Sequence, residues 1–172
     1  MSFRSDRGRP LDPDSLGDHL DRLYRAAWGL CGSREEAEDL VQETYARVLA
    51  KPRFLRHDDD LAYLLRVMRN TFVSGLRTSS RRPRTVELVE DRPDPRSEGV
   101  EAHVESRALL AAVASLPDQY RDVLVAVDIA GLSYREAGKA LDVPEGTVMS
   151  RLFRARQKVV AAVRPGRPMR VE

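Results

Sequence analysis

The stretch SYREAGKALDVPEGTVMSRLFRARQKV, Ser133 to Val159, leaves few options for the fold of the last third of the chain. Ser133 and Glu136 stand at capping-box spacing, so hydroxyl and carboxylate can each satisfy an orphaned backbone donor at a helix start. Gly138 leaves room for a second helix to approach. Asp142 sits where the chain must reverse, being one of the few residues besides glycine that tolerates left-handed backbone angles. Pro144 suits the first position of the following helix. In that helix Val148, Leu152, Ala155 and Val159 repeat at i, i+4, i+7 and i+11, the spacing of a buried stripe. The pattern predicts a helix, a tight turn and a second helix.

At about 100° per residue, Thr147, Ser150, Phe153, Arg154 and Gln157 fall opposite the stripe, with Arg151, Arg156 and Lys158 on its flanks. A phenylalanine turned to water among arginines contributes little to stability. In a DNA major groove an apolar side chain meets a thymine methyl and an arginine bonds a guanine edge twice, so the face predicts DNA contact rather than a solvated basic helix.

Over 172 residues the net charge of +2 hides a strong segregation. Residues 66 to 86 hold Arg66, Arg69, Arg77, Arg81, Arg82 and Arg84 and no acid; residues 35 to 43 hold Glu35, Glu36, Glu38, Asp39 and Glu43 and no base. One segment is suited to phosphate, the other to a basic partner. The single cysteine, Cys31, excludes an intrachain disulfide and a thiolate zinc cage. The charged start MSFRSDRGRPLDPDS has no apolar core, and no segment has the length and hydropathy of a membrane span, so a cytoplasmic protein is expected.

Helical patterning also covers the first half. A helix from about Ser15 to Leu30 is expected to turn Leu16, Leu20, Leu23, Tyr24 and Ala27 inward and to stop at Gly32. Ser33 and Glu36 open a second, with Ala37, Leu40, Val41, Tyr45 and Val48 inward and Pro52 closing it. Asp60 is the expected N-cap of a third, whose inward residues are Leu61, Leu64, Leu65, Met68, Phe72 and Leu76. The other face of that helix shows Tyr63, Arg66, Asn70, Val73, Ser74 and Arg77, a set suited to stacking on bases and holding a nucleic-acid backbone. From Arg84 to Glu105 the chain is rich in proline, glycine and acids and reads as a linker. Beyond it lie a helix near Arg107 to Ser115, a break at SLPD, and a helix carrying Tyr120, Val123, Leu124 and Val127 that stops at Gly131. The expected fold is all-α, with two small helical domains over residues 15–83 and 106–164 joined by a flexible acidic linker, residues 84–105.

His19, His57 and His103 are scattered, and no glycine-rich loop follows a strand, so neither metal nor cofactor is expected. Asp58, Asp59 and Asp60 beside a basic helix raise a metal-dependent nuclease. Consecutive residues of a regular helix cannot all face one metal, and aspartates at a helix start are explained by the macrodipole. A stand-alone helix-turn-helix regulator is a second rival, which leaves the acidic second helix unexplained.

Three motifs in order carry a family resemblance: EAEDLVQETYARVL (Glu36 to Leu49), LAYLLRVMRNTFVSGLRTSSRRP (Leu61 to Pro83) and the run from SLPDQYRDVL to the final helix. With a linker between the second and third, the chain resembles the extracytoplasmic-function sigma factors, small alternative sigma subunits of bacterial RNA polymerase. The resemblance implies a promoter-specificity subunit with no active site of its own, which binds core polymerase and promoter DNA, is held by an anti-sigma factor, and is monomeric when free. It implies that Asp39, Gln42 and Glu43 contact core polymerase. Asn70, Phe54 and the loop Leu55 to Asp59 would form the pocket for a base flipped out of the minus-ten strand, with Tyr63 on the same face and Arg66 and Arg77 on nearby phosphates. Thr147, Ser150, Phe153 and Arg154 would face the minus-thirty-five duplex, while Tyr134, Arg135 and Arg151 steady its backbone. Three departures stand out. HDDD replaces a frequent glycine-containing loop before the third helix, Tyr63 replaces a frequent tryptophan, and Met149 replaces a frequent basic residue at the edge of the recognition helix.

Overall fold

The structure, a computed structural model, describes residues 9–10, 13–50, 54–55, 60–79 and 108–163. The linker of residues 84–105 and Pro52 lie outside them. Seven α-helices make up the described residues, with one short antiparallel pairing of Arg9–Pro10 (β1) on Phe54–Leu55 (β2).

The first helix is shorter than its sequence pattern suggests. Pro13–His19 winds as a 3-10 helix, and α1 begins at Leu20 and runs to Cys31. A 3-10 segment advances three residues per turn rather than 3.6, so a stripe projected from Leu16 misplaces the next turn. Leu16 is buried as expected, but Leu20 is 46% exposed, and the inward face is Leu23, Ala26, Ala27, Gly29 and Leu30. Gly32 ends α1 at φ 81°, its N–H donating to the Trp28 carbonyl at 2.8 Å. That left-handed position is the one glycine occupies without strain.

Helix α2, Arg34–Ala50, buries Ala37, Leu40, Val41 and Val48. Tyr45 is half-buried, and its hydroxyl donates to the Leu16 carbonyl at 2.9 Å. Thr44 is fully buried as well, its hydroxyl donating to the Leu40 carbonyl at 2.7 Å. This one-turn-back bond is what lets a hydroxyl occupy an apolar core. Helix α3, Asp60–Ser79, starts at Asp60 itself, one residue earlier than an N-cap there would give. It buries Leu61, Leu64, Leu65 and Met68 against α1 and α2, while Phe72 and Leu76 are only partly covered.

The second half comprises α4 (residues 108–114), α5 (Asp118–Leu124), α6 (Tyr134–Leu141) and α7 (Glu145–Val163). Helix α5 continues as a π-wound segment, Val125–Ile129, closed by the Ala130 N–H on the Val125 carbonyl at 2.8 Å. Gly131 ends it at φ 75°. The two halves share one core. Gly29 of α1 lies against Val125 and Ile129, where an added Cβ would come within 2.8 Å of the Ile129 Cδ1, and a Cβ at Gly32 would stand 3.0 Å from that of Ala114. Arg22 crosses the same seam, donating from Nε to the Ala130 carbonyl at 2.8 Å and from Nη2 to the Gly131 carbonyl at 3.0 Å.

Cys31 ends α1 beside this seam. Burial above all, and then the nearby Glu36 carboxylate, push its thiol up from 9.0 to about 12, while Arg121 across the seam works in the opposite direction. A neutral thiol favoured by the fold adds stability that is fully present below the unfolded value and is lost as pH rises from about 9 towards 12. Urea unfolding from pH 8 to pH 11 is therefore expected to show the native chain losing stability relative to Cys31→Ala only above about pH 9. Parallel pH profiles of the two proteins would contradict the assignment.

Candidate nucleic-acid interface

The turn between α6 and α7 is built as its residues require. Ser133 Oγ accepts from the Glu136 N–H at 3.3 Å, and Glu136 Oε2 accepts from the Ser133 N–H at 2.7 Å, which closes the capping box. Asp142 takes the left-handed conformation at φ 57°. The Val143 N–H then donates back to the Gly138 carbonyl at 3.0 Å. Pro144 sits one position earlier than expected. It precedes α7 and its carbonyl accepts from Thr147 and Val148 at 2.9 and 3.1 Å, because its fixed φ serves the N-cap as well as the first helical residue.

Val148, Leu152, Ala155 and Val159 are all buried, so the orientation of α7 is fixed by its apolar stripe. Ser150, Arg154 and Gln157 are exposed on the opposite side, and Phe153 is 64% exposed among them. Thr147 and Arg151 are half-buried at the edges, and Tyr134 and Arg135 are exposed at the start of α6. The Ser150 hydroxyl donates to the Thr147 carbonyl at 3.1 Å.

The flanking bases are divided in function, which the helical projection does not reveal. Arg156 is committed to Asp128, with Nε and Nη2 at 2.9 and 2.7 Å from the two carboxylate oxygens, and this pairing raises its pKa further. Lys158 lies 5.5 Å from the centre of the Tyr120 ring. Both tie α7 to α5 and its π-wound continuation. An apolar feature also escaped the sequence reading: Val160, one heptad after Phe153, is 51% exposed and lines a shallow open cleft with Phe153, Arg156, Gln157 and Ala161. The i+7 spacing was the available signal.

On α3 the projected face is partly open. Arg66 and Asn70 are exposed, Ser74 is exposed one turn on, and Tyr63 is half-buried with its ring against the core. Phe54 and Leu55 form the β2 strand paired with Pro10 and Arg9, a contact that no sequence pattern announced. The side chains of Phe54 and Arg77 lie outside the described residues, as do residues 56–59 with Asp58 and Asp59. Asp60 is buried. On α2, Asp39, Gln42 and Glu43 point outward together. Glu43 holds Arg47 at 2.6 Å and Glu38 holds Arg34 at 3.0 Å, so the acidic face is trimmed by bases just beyond residues 35 to 43. Exposed pairs of this kind contribute at most about 1 kcal/mol and exchange readily for a partner's charges.

One glycine sets the closeness of the two helices. A Cβ on Gly138 would stand 2.8 Å from the Val143 carbonyl oxygen, a backbone atom of the turn itself. Gly138→Ala is expected to destabilise the chain by roughly 1–3 kcal/mol in urea unfolding, the usual cost of overpacking, through displacement of α7. Stability equal to the native chain would mean that the turn yields freely.

Residues 16–82 match the Sigma-70 region 2 family and residues 106–159 match Sigma-70, region 4. The ECF RNA polymerase sigma factor SigE of Mycolicibacterium smegmatis is 39% identical over 158 residues, 87% of this chain and 60% of that protein, so the chain spans about three-fifths of that relative. ECF RNA polymerase sigma factor EcfG of Rhodopseudomonas palustris is 33% identical over 153 residues, 86% of this chain and 84% of the relative. Among solved structures, the sigma factor RpoE in complex with the anti-sigma factor NepR from Bartonella quintana superposes with a TM-score of 0.72 at 26% identity, covering 90% of this chain and 97% of that one. CnrH in complex with the cytosolic domain of CnrY shares the fold, with a TM-score of 0.59 at 24% identity over 86% of this chain and 84% of that one. With both regions matched in order and a relative at this identity over most of its length, the chain belongs to the extracytoplasmic-function sigma factors, the alternative sigma subunits that direct RNA polymerase in promoter-specific transcription.

Proposed function

We propose that this chain joins core RNA polymerase through the outward face of α2, opens and reads the minus-ten element along α3, and reads the minus-thirty-five element with α7. The observation that carries the reading is Phe153, 64% exposed between Ser150 and Arg154 on a helix whose rotation its buried stripe fixes. With exposed Val160 it lines one open cleft, and a contiguous apolar patch rimmed by polar and basic residues marks a contact surface. Asp39, Gln42 and Glu43 supply the polymerase contact. Arg66 and Asn70, with Tyr63, Phe54 and Arg77, receive the unstacked minus-ten strand. Thr147, Ser150, Phe153 and Arg154 face the upstream duplex, with Tyr134, Arg135 and Arg151 on its backbone.

An anti-sigma factor is the expected regulator, since the related RpoE and CnrH are seen bound to NepR and CnrY. None of these roles requires catalysis by the chain. Among the described residues no helix is long and apolar enough to cross a membrane, which suits work beside cytoplasmic polymerase. The direct test is to add the purified chain to core polymerase and sequence the transcripts made from genomic DNA. Discrete starts that share two spaced elements are expected, and their absence would reduce the chain to a DNA-binding protein.

Two substitutions resolve the parts. Arg154→Ala is expected to weaken specific promoter binding by roughly 1–3 kcal/mol and to relax preference at one or two upstream base pairs. Equal weakening on every sequence would instead place Arg154 on a phosphate. Asp39→Lys combined with Glu43→Lys is expected to lower affinity for core polymerase with the fold intact, since both side chains are exposed. Undiminished capture by core polymerase at moderate salt would remove α2 from that interface.

A further inference from the structure

The seam between the two halves carries a charged clasp. On α3, Arg69 and Phe72 face α5 one turn apart. Arg69 Nε donates to Asp122 Oδ2 at 2.5 Å, and the Arg121 guanidinium lies 4.9 Å from the centre of the Phe72 ring. Arg121 also stands 2.9 Å from Asp118 and 3.5 Å from Asp122. The Asp122 side chain is only 5% exposed and that of Arg121 only 7%. Yet the Arg121 Nε finds no hydrogen-bond partner, and its Nη2 and the Asp122 Oδ1 are met only as ion pairs without hydrogen-bond geometry. Charges buried with bonding capacity unused are a poor way to make a permanent core, where apolar residues of similar size hold better. Such groups recover hydration when an interface parts, so they suit a seam that opens.

We propose that Arg69 is a further nucleic-acid contact of α3, and that Asp122 occupies its guanidinium in the free chain as a phosphate would, latching the two halves closed. This rests on the sigma reading. Arg69 adjoins Asn70 and lies one turn after Arg66, both exposed on the strip assigned to the minus-ten strand. Carboxylate and phosphate offer arginine the same pairing geometry, so one excludes the other. The closed form also excludes promoter engagement on size. A folded body of this length is roughly 35 Å across, whereas two elements two helical turns apart lie roughly 70 Å from each other. Opening frees Arg69 and separates the DNA-reading faces in one step.

The chain carries its own reporter. Cys31 is the only thiol and sits at the seam, next to Gly32 against Ala114. Its rate of reaction with dithiobis(nitrobenzoate) in the free full-length protein measures opening. Asp122→Asn is expected to speed that reaction roughly tenfold, the ratio given by about 1.4 kcal/mol taken from the seam. It is also expected to tighten binding of a short fluorescent single-stranded DNA of mixed sequence severalfold, and to steepen the salt dependence by roughly 0.7, one further phosphate on a single strand. Arg69→Ala opens the seam equally but leaves that binding no tighter and its salt slope no steeper.

A measurement on the native chain requires no buried substitution. If phosphate displaces Asp122, titrating the same DNA raises the Cys31 rate in step with occupancy, and in Arg69→Ala it adds nothing. A native rate unmoved by saturating DNA overturns the proposal, as does an Asp122→Asn protein that stays folded with Cys31 and DNA affinity unchanged. No polymerase is present in these measurements, so their failure is distinct from failure to direct transcription with core polymerase.

Discussion

A bare backbone at Gly29 sets how closely the two halves meet. Without a Cβ there, α1 lies directly on Val125 and Ile129, and the same closeness at Gly32 admits Ala114. The π-wound segment completes the fit. Its wider turn ends the helix with Ala130 and Gly131 carbonyls aimed at Arg22, so that main-chain acceptors at a helix end are satisfied from across the seam. Once α1 and this segment are in register, α3 lies against α6 and the edge of α5, and Arg69 and Phe72 meet Asp122 and Arg121. The polar clasp follows from apolar packing at a position with no side chain.

The extent to which this is legible in the sequence depends on how local each determinant is. The α6 turn α7 unit was readable almost residue by residue, because capping box, left-handed Asp142 and buried stripe are set by neighbours within a few positions. Leu20 is exposed where its spacing predicts burial, because a 3-10 winding looks like an α pattern until the register is known. Phe72 has the spacing of a core residue of the first half, and it covers the seam instead. Arg69 and Asp122 are 53 positions apart, and Arg22 and Ala130 are 108 apart. No periodicity reaches so far, so an arginine serving a distant carbonyl resembles one serving DNA. The pairing of Arg9 with Leu55 is hidden for the same reason.

Helix α7 shows a division of labour among similar side chains. Four basic residues lie from Arg151 to Lys158 if only charge is counted, yet Arg156 and Lys158 are taken by Asp128 and the Tyr120 ring. These contacts fix the helix from both sides, and Val148, Leu152, Ala155 and Val159 fix its rotation. Arg154 and Phe153 are thereby presented at low entropic cost, since the backbone that carries them is already ordered before any partner arrives. The bases nearest the outward face stay available because others hold the scaffold.

The outward acids of α2 are exposed while the seam is shut, so on the proposed reading polymerase can engage them without separating the halves. A contact made equally in both states raises affinity and shifts no equilibrium. Opening must then be driven by interactions available only to the open chain, which are the released flank of α3 and whatever the second half meets once it has left α1. Adding charge to α2 would strengthen the encounter while leaving the closed fraction where it was. Weakening the clasp would do the reverse, loading polymerase no faster but raising the share of captured chains ready for a promoter. The seam and the acidic face are in this sense separate controls on one event, and the buried, imperfectly paired Arg121 and Asp122 place the closing energy where single substitutions can change it.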